Sequence, residues 1–455
     1  MGARTSGPDS LSERVRDEMA QWEVPGLAVG ILQHGAAETA GFGLSSVETG
    51  YPVRPDALFQ IGSITKVFTA TLVMRLEDEG RLSLDAPVIE YLPDLRLADA
   101  DARERITLRH LLTHTSGLEG DHFNFVGPQY GFGDDAIWRE IADFPVLRQM
   151  TRPGELWAYC NAGFHLAGAI AARVTGQTYE ATMREMLFEP LGLERTFLFA
   201  HEAIVYPVAV GHNQLPGGTP RVARVYPRPR SCHPAGAIIS TVGDLLKFAH
   251  FHLDGGTVDG TQVLSAGSVA AMQQPQTVAG NFAEHYGLGW ALHTLGGERV
   301  VGHGGTTNGF QAQLQLVPTR DFAIAVLTNS NRGSAAARRI IDGVIEERLG
   351  LCEDERSTFP LSETDLAALA GHYWRPRIEV DVMAQGQGLV AEVTADAPDG
   401  SGPLRNPPVH LRPIGPREFM IEDGEMAGGR VDFPAGSSSG SALIRFGGRL
   451  AERED

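Results

Sequence analysis

The stretch FQIGSITKVFTATLVMRLEDEG, residues 59–80, decides how the rest of the chain reads. From Ile64 to Leu76 its apolar residues cover most faces of a helix, and Gly80 supplies the stop. A helix apolar nearly all round belongs in the interior. Ser63 and Lys66 stand at its start, and their three-residue spacing places both side chains on one helix face. Of the chain's 38 Lys and Arg residues only Lys66 and Lys247 are lysines. Arginine keeps its proton at any ordinary pH, whereas a lysine in a dry site can lose it and act as a base. A serine hydroxyl needs such a neighbour to become a nucleophile. The positive potential of a helix N-terminus disfavours the ammonium form and favours a developing oxyanion. The plain alternative, a capping serine beside a surface lysine, sits poorly with a segment that does not read as surface.

Before this helix, VPGLAVGIL and ETAGFGLSS read as two strands of a hairpin around HGAA. After it, residues 81 to about 260 carry the helical patterns ITLRHLLTHTSG, AGFHLAGAIAARVTG, TYEATMREMLFEPLG and TVGDLLKFAHFHLDGG. Strand character returns in GLGWALHTL, RVVGHGG, FQAQLQLVP and FAIAVLTNS, before the helix AAARRIIDGVIEERLG. Strands at both ends with helices between predict an α/β (α+β) fold: an antiparallel sheet closed by both termini and flanked by helices, with an inserted all-helical region. The polar run from Cys352 reads as a linker, and the close-spaced short strands after it read as a small C-terminal β-barrel. The expected organisation is a first unit over 1–350, a linker over 351–362 and a barrel over 363–455.

The chain has 455 residues and a formal charge of −18, which disfavours nucleic acid and anionic membrane as partners and directs attention to a small-molecule or peptide substrate. No stretch approaches the roughly 20 apolar residues of a membrane helix, and the first residues lack a basic-then-apolar leader. Cys160, Cys232 and Cys352 are odd in number and lie far apart, which indicates neither a disulfide framework nor a structural metal site. A soluble cytoplasmic protein without cofactor or metal is expected, with room left for a homo-oligomer.

Chance predicts about 0.09 Ser-x-x-Lys matches at this composition and about 0.16 Tyr-x-Asn matches, so finding each once, the second at Tyr159-Cys-Asn161, is informative. A tyrosine beside the serine can shuttle its proton to a leaving group, and the asparagine amide can hold a substrate carbonyl or the lysine. The plainer reading of Tyr159-Cys-Asn161 is a turn into a helix with Asn161 as its cap. His-x-Gly occurs twice, at His285 and His303, as often as composition alone predicts.

Taken in order, Ser63-Ile-Thr-Lys66, Tyr159-Cys-Asn161 and His303-Gly304-Gly305 resemble the three motifs of the penicillin-binding-protein and class C β-lactamase superfamily, which includes D-aminopeptidases, class VIII esterases and peptide-cyclising thioesterases. The phrases LLTHTSGL (111–118), AGAIISTVGDL (235–245) and YGLGW (286–290) extend the resemblance over about residues 12–348, and the tail resembles a lipocalin-like domain. The resemblance implies that Ser63 forms an acyl-enzyme, that Lys66 and Tyr159 handle protons, and that Asn161, Gly304 and Gly305 line the site. By the same analogy the oxyanion hole is the backbone N–H of Ser63 and of Thr306. His303 takes the third-motif role and His285 is a loop residue. Histidine replaces the lysine of β-lactamases in the third motif, which weakens a case for β-lactam carboxylate recognition. Cys160 replaces the usual serine and reads as a packing residue.

Other signals are weaker. GSSSG at 436–440 lacks the strand-turn-helix context of a nucleophile elbow. His250 and His252 are two apart on a helix and diverge, so they are not a metal pair. Asp121-His122 has two readings, rim of the pocket and loop surface, of which loop surface is the plainer. The expected function is a serine hydrolase of the esterase or D-amino-acid peptidase type. Two alternatives stay open: an acyltransferase that cyclises or transfers a peptidyl group, and a non-catalytic binding protein on the same fold.

Overall fold

A hairpin of strand β1 (Gly26–Gln33) with β2 (Ala36–Gly43) starts the sheet, and the chain then leaves it for a long helical excursion. It returns as β3 (Thr277–Val278), β4 (His285–Tyr286), β5 (Ala291–Leu295), β6 (Glu298–Thr307), β7 (Phe310–Val317) and β8 (Phe322–Thr328). The order across this eight-stranded antiparallel sheet is β2, β1, β8, β7, β6, β5, β4, β3, so the hairpin closes against the last strand through pairs such as Val29↔Val326. This is a computed structural model, and it describes residues 8–121, 129–280, 282–353, 356–396, 402–424, 426–435 and 440–454. His122 and the serines of the GSSSG run lie outside the described residues.

The period of two along a strand sends alternate side chains to opposite faces, and both faces of this sheet are covered. On β8, Ala323, Ala325 and Leu327 join the large core under the helical region, whereas Phe322, Ile324 and Val326 join a second core. That second core contains Val15 of α1 (Pro8–Gln21) and Ile340, Ile341 and Val344 of α5 (Gly333–Leu349). Helix α1 was not anticipated, because its sequence is mostly polar and only one stripe touches the sheet. On the other side lie α2 (Thr65–Asp78), α3 (Asn161–Thr175) and α4 (Val242–Leu253). Helix α2 buries eleven of its fourteen residues, Lys66 among them, as its nearly all-round apolar pattern requires.

Two expected helices are shorter than their patterns. Only Leu108–Leu112 of the first is helical: Thr113 Oγ1 donates to the Arg109 carbonyl at 2.7 Å, and His114 takes φ of 56°. The other becomes Tyr179–Met183 followed by a π turn over Arg184–Phe188. His285 sits in a strand, paired with Val278 and Leu292, and not in a loop.

The polar connection ends in α6 (Glu363–Leu369), opened by a capping box between Ser362 and Asp365. The tail forms β9 (Gly371–Arg375), β10 (Ile378–Gln385), β11 (Gly388–Asp396), β12 (Pro403–Arg405), β13 (Val409–Pro413), β14 (Glu418–Ile421), β15 (Arg430–Asp432), β16 (Leu443–Phe446) and β17 (Arg449–Glu454). The ring runs β10, β9, β17, β16, β15, β14, β13, β11, and pairing of β10 with β11 closes it, with β12 attached outside. This closed eight-strand barrel fits a lipocalin-like domain, with its own core around Tyr373, Phe419 and Phe433. Among the described residues no helix is long and apolar enough to cross a membrane. Ile324→Ala, at a wholly buried position in the central strand, is expected to cost about 2–5 kcal/mol, read from the urea unfolding midpoint.

Candidate active site

Ser63 lies in the 3₁₀ turn Gly62–Ile64 that leads directly into α2, and Lys66 follows in the first turn of the helix. Lys66 Nζ donates to Ser63 Oγ at 3.1 Å and to the Ala235 carbonyl at 2.6 Å. Its side chain is wholly buried and has no ion-pair partner among the described residues. Burial pushes the amine well below the ordinary lysine range, and the Arg449 charge pushes the same way. A neutral amine in hydrogen-bond contact with a hydroxyl can take its proton. Lys247, the other lysine, is exposed and bridges Asp244 at 3.1 Å.

The free edge of β6 meets this turn. β5 pairs with β6 only as far as Gly302, so His303–Thr307 have β7 on one side and the Ser63 turn on the other. The approach is close enough that both the turn and the strand need glycine. A Cβ on Gly62, which has φ of 52°, would stand 2.6 Å from Thr306 N. One on Gly305 would collide with the Ile61 carbonyl and come 2.9 Å from Ser63 N. The backbone nitrogens of Ser63 and Thr306 thereby lie close together, and both residues line the cavity.

Tyr159 and Asn161 flank the start of α3. Burial drives the Tyr159 phenol far above its ordinary range, against the opposing pull of a hydrogen bond with Ser63. The same burial therefore favours the protonated phenol at Tyr159 and the neutral amine at Lys66. Cys160 is the N-cap of α3: its Sγ accepts from Gly163 N at 3.3 Å, and burial raises the thiol to about 12. The cap is thus Cys160 and not Asn161. Asn161 Nδ2 donates to Asp121 Oδ1 at 2.9 Å, so the amide is turned to a carboxylate and does not touch Lys66.

Asp121 lines the cavity, which favours the rim reading over loop surface. Burial opposes its charge, but the guanidiniums of Arg449 and Arg375 hold its carboxyl far below the usual range. Arg375 Nη1 lies 2.9 Å from Asp121 Oδ2, and Arg449 pairs with the same carboxylate. Both arginines belong to the barrel. The barrel also accepts the Tyr159 N–H at the Gly448 carbonyl, 2.8 Å away, and sets Arg449 Cζ 4.7 Å from the Tyr159 ring centre. Lys66 Nζ is 4.9 Å from the same ring centre. No sequence signal marked these arginines, since arginine carries nearly all positive charge in this chain.

His303 lines the cavity with Ser63 but bonds elsewhere. Its Nε2 is 3.0 Å from Tyr286 Oη and its Nδ1 is 2.6 Å from the Gly304 carbonyl, which requires the proton on Nδ1. Burial, then the Lys66 charge, lowers it to about 3, so the imidazole is neutral. His250 is exposed while His252 is buried against Thr71 Oγ1 at 3.2 Å, and the pair diverges. Gly305→Ala is expected to displace the Ser63 turn and lower kcat/KM for ester cleavage about 10²-fold, with circular dichroism unchanged.

The Beta-lactamase family model matches residues 11–346. Penicillin-binding protein 4 of Amycolatopsis lactamdurans is 36% identical over 373 residues, covering 80% of this chain and 96% of that protein. The crystal structure of SurE matches with TM-score 0.73 and 25% identity over 98% of this chain and 99% of SurE, and the crystal structure of SurE with D-Leu matches with TM-score 0.73 and 26% identity over the same shares. The class C β-lactamase from Rhodobacter sphaeroides matches with TM-score 0.62 and 26% identity over 75% of this chain and 99% of that one. With its three motifs gathered around one cavity and these likenesses spanning most of its length, the chain belongs to the Beta-lactamase family, a serine-hydrolase superfamily.

Proposed function

We propose that this protein is an acyl-enzyme serine hydrolase that cleaves an ester or amide of a peptide-like acyl group. The observation that carries the reading is the buried Lys66 amine 3.1 Å from Ser63 Oγ, with no ion-pair partner among the described residues. Lys66 takes the Ser63 proton as Oγ adds to the acyl carbon, and the N–H groups of Ser63 and Thr306 receive the oxyanion. Tyr159 protonates the leaving group as its bond breaks, and Lys66 returns a proton to the Tyr159 oxygen. Water then adds to the acyl carbon, giving its proton to Lys66. The bond to Oγ breaks, and Ser63 regains its proton.

A neutral His303 offers no cation to a β-lactam carboxylate, and Arg449 is already paired with Asp121. Both facts favour open-chain esters and amides over β-lactams. The whole-chain likeness to SurE, solved with D-Leu, supports a D-configured residue in the substrate.

Intact-protein mass after incubation with a p-nitrophenyl acyl ester or a fluorophosphonate tests the nucleophile. Wild type is expected to gain one adduct that Ser63→Ala lacks, and equal labelling of Ser63→Ala would overturn the assignment. The pH dependence has a definite sign: kcat/KM rises as Lys66 loses its proton, and burial places that rise well below the ordinary lysine range. His303, at about 3, adds no limb near neutrality. Lys66→Arg cannot deprotonate and is expected to slow acylation by about 10²–10⁴-fold. Wild-type acylation by that variant at neutral pH would remove Lys66 from the role of base.

A further inference from the structure

The cavity does not stop at Ser63 and Tyr159. Its volume is about 840 Å³, and it continues across the face of β6 and β7 that carries α5, between that helix and the barrel, where Gln311, Gln313 and Gln315 line it together with Arg338 and Arg430. The alternation along β7 explains the row: Ala312, Leu314 and Leu316 are buried in the core under the helical region, so the three glutamines share the opposite face. Across the ladder they oppose Thr306, Gly304 and Gly302 respectively.

Two of those partners are glycine, and the glutamines occupy the space. A Cβ on Gly302 would come 3.1 Å from Gln315 Cγ, and one on Gly304 would come 2.9 Å from Gln313 Nε2. Gln311 is fixed at the Ser63 end, where its Oε1 accepts from Thr306 Oγ1 at 2.7 Å. At the other end, Gln315 Oε1 is buried without a hydrogen-bond partner among the described residues. A buried acceptor left unpaired costs about 1–3 kcal/mol, so turning the Gln315 carboxamide into the cavity to meet a ligand donor would relieve that cost.

A carboxamide carries one acceptor and two donors, the same chemistry as a peptide unit. Alternate residues on a strand repeat at about 6.6 Å, which is also the two-residue repeat of an extended peptide. From Gln311 to Gln315 the row spans about 13 Å, room for roughly four extended residues.

We propose that the Gln311, Gln313 and Gln315 row is an extended subsite for the peptidyl part of the acyl group, reading its main chain and not its side chains. This rests on the acyl-enzyme reading above. The reacting carbonyl sits between Ser63 and Thr306, and the chain upstream of it runs along the glutamines toward Arg338 and Arg430.

The test uses p-nitrophenyl esters of N-acetyl-D-Leu extended at its amino end by none to about four glycines, so that length adds main chain alone. Wild type is compared with Ser63→Ala and with the double variant Gln313→Ala, Gln315→Ala. In wild type kcat/KM is expected to rise about tenfold with length and then level off. The double variant is expected to match wild type on the unextended ester within about twofold while losing the rise with length. A flat series in wild type, a rise that survives in the double variant, or an equal loss on every ester would overturn the subsite. If no ester shows turnover that depends on Ser63, the hydrolase reading itself falls, and the subsite falls with it; that result is distinguished by the shortest ester alone.

Discussion

An amine enclosed by protein, with no ion-pair partner among the described residues, is the constraint around which this site is arranged. Carrying a charge at Lys66 would require desolvation that outweighs the opposing pull of Asp121, so the group is held toward its neutral form. That condition requires an α2 sequence apolar on nearly every face, because one solvated face would restore the ammonium. It also requires Lys66 to be satisfied as a donor, which the Ala235 carbonyl and Ser63 Oγ accomplish. Tyr159, buried beside it, is pushed the opposite way. Two proton-bearing groups whose surroundings separate their affinities make a base and an acid from one desolvated space.

The barrel enters this arrangement through charge. Asp121 would be costly to bury alone, and so would Arg375 and Arg449; together they form a buried cluster whose members come from both halves of the chain. Buried ion pairs contribute little net stability, but separating them leaves an uncompensated charge, so they specify geometry more than they add strength. The geometry specified here is the position of Asn161, through its bond to Asp121, and of the Tyr159 backbone, through its bond to Gly448. Arg449 further disfavours a proton on Lys66 while Asp121 acts in the opposite sense, so the tail of the chain adjusts the electrostatics at its first motif.

What was legible in the sequence was local. Ser63 and Lys66 declared themselves because i, i+3 spacing on a helix fixes a shared face, and the apolar run declared their burial. The antiparallel sheet and the barrel followed from strand patterns bounded by Gly and Pro. Asp121 was legible only as one of two readings, rim or loop surface, and Arg375 and Arg449 not at all, because their meaning lies in meeting one another across separate elements, and an arginine in an arginine-rich chain carries no signal of burial. Cys160 was read as packing, and the structure adds that its sulfur caps α3. The reading of His285 as loop failed because a two-residue strand leaves no period to detect.

Strand β6 shows how one sequence can serve two faces at once. Its odd-numbered positions, His303 and Gly305, face the helical region, where Gly305 lets the Ser63 turn approach. Its even-numbered positions, Gly302 and Gly304, face the side that carries α5, where the missing side chains give space to Gln315 and Gln313. The run VGHGGTT is therefore glycine-rich for two separate steric reasons, and only one of them belongs to the third motif. A larger residue at an odd position would disturb the backbone around Ser63. A larger residue at Gly304 would first meet Gln313, and one at Gly302 would meet the Leu314 carbonyl and then Gln315. Because the strand pleat separates these faces, the reacting centre and the groove beside it can vary independently while sharing one backbone.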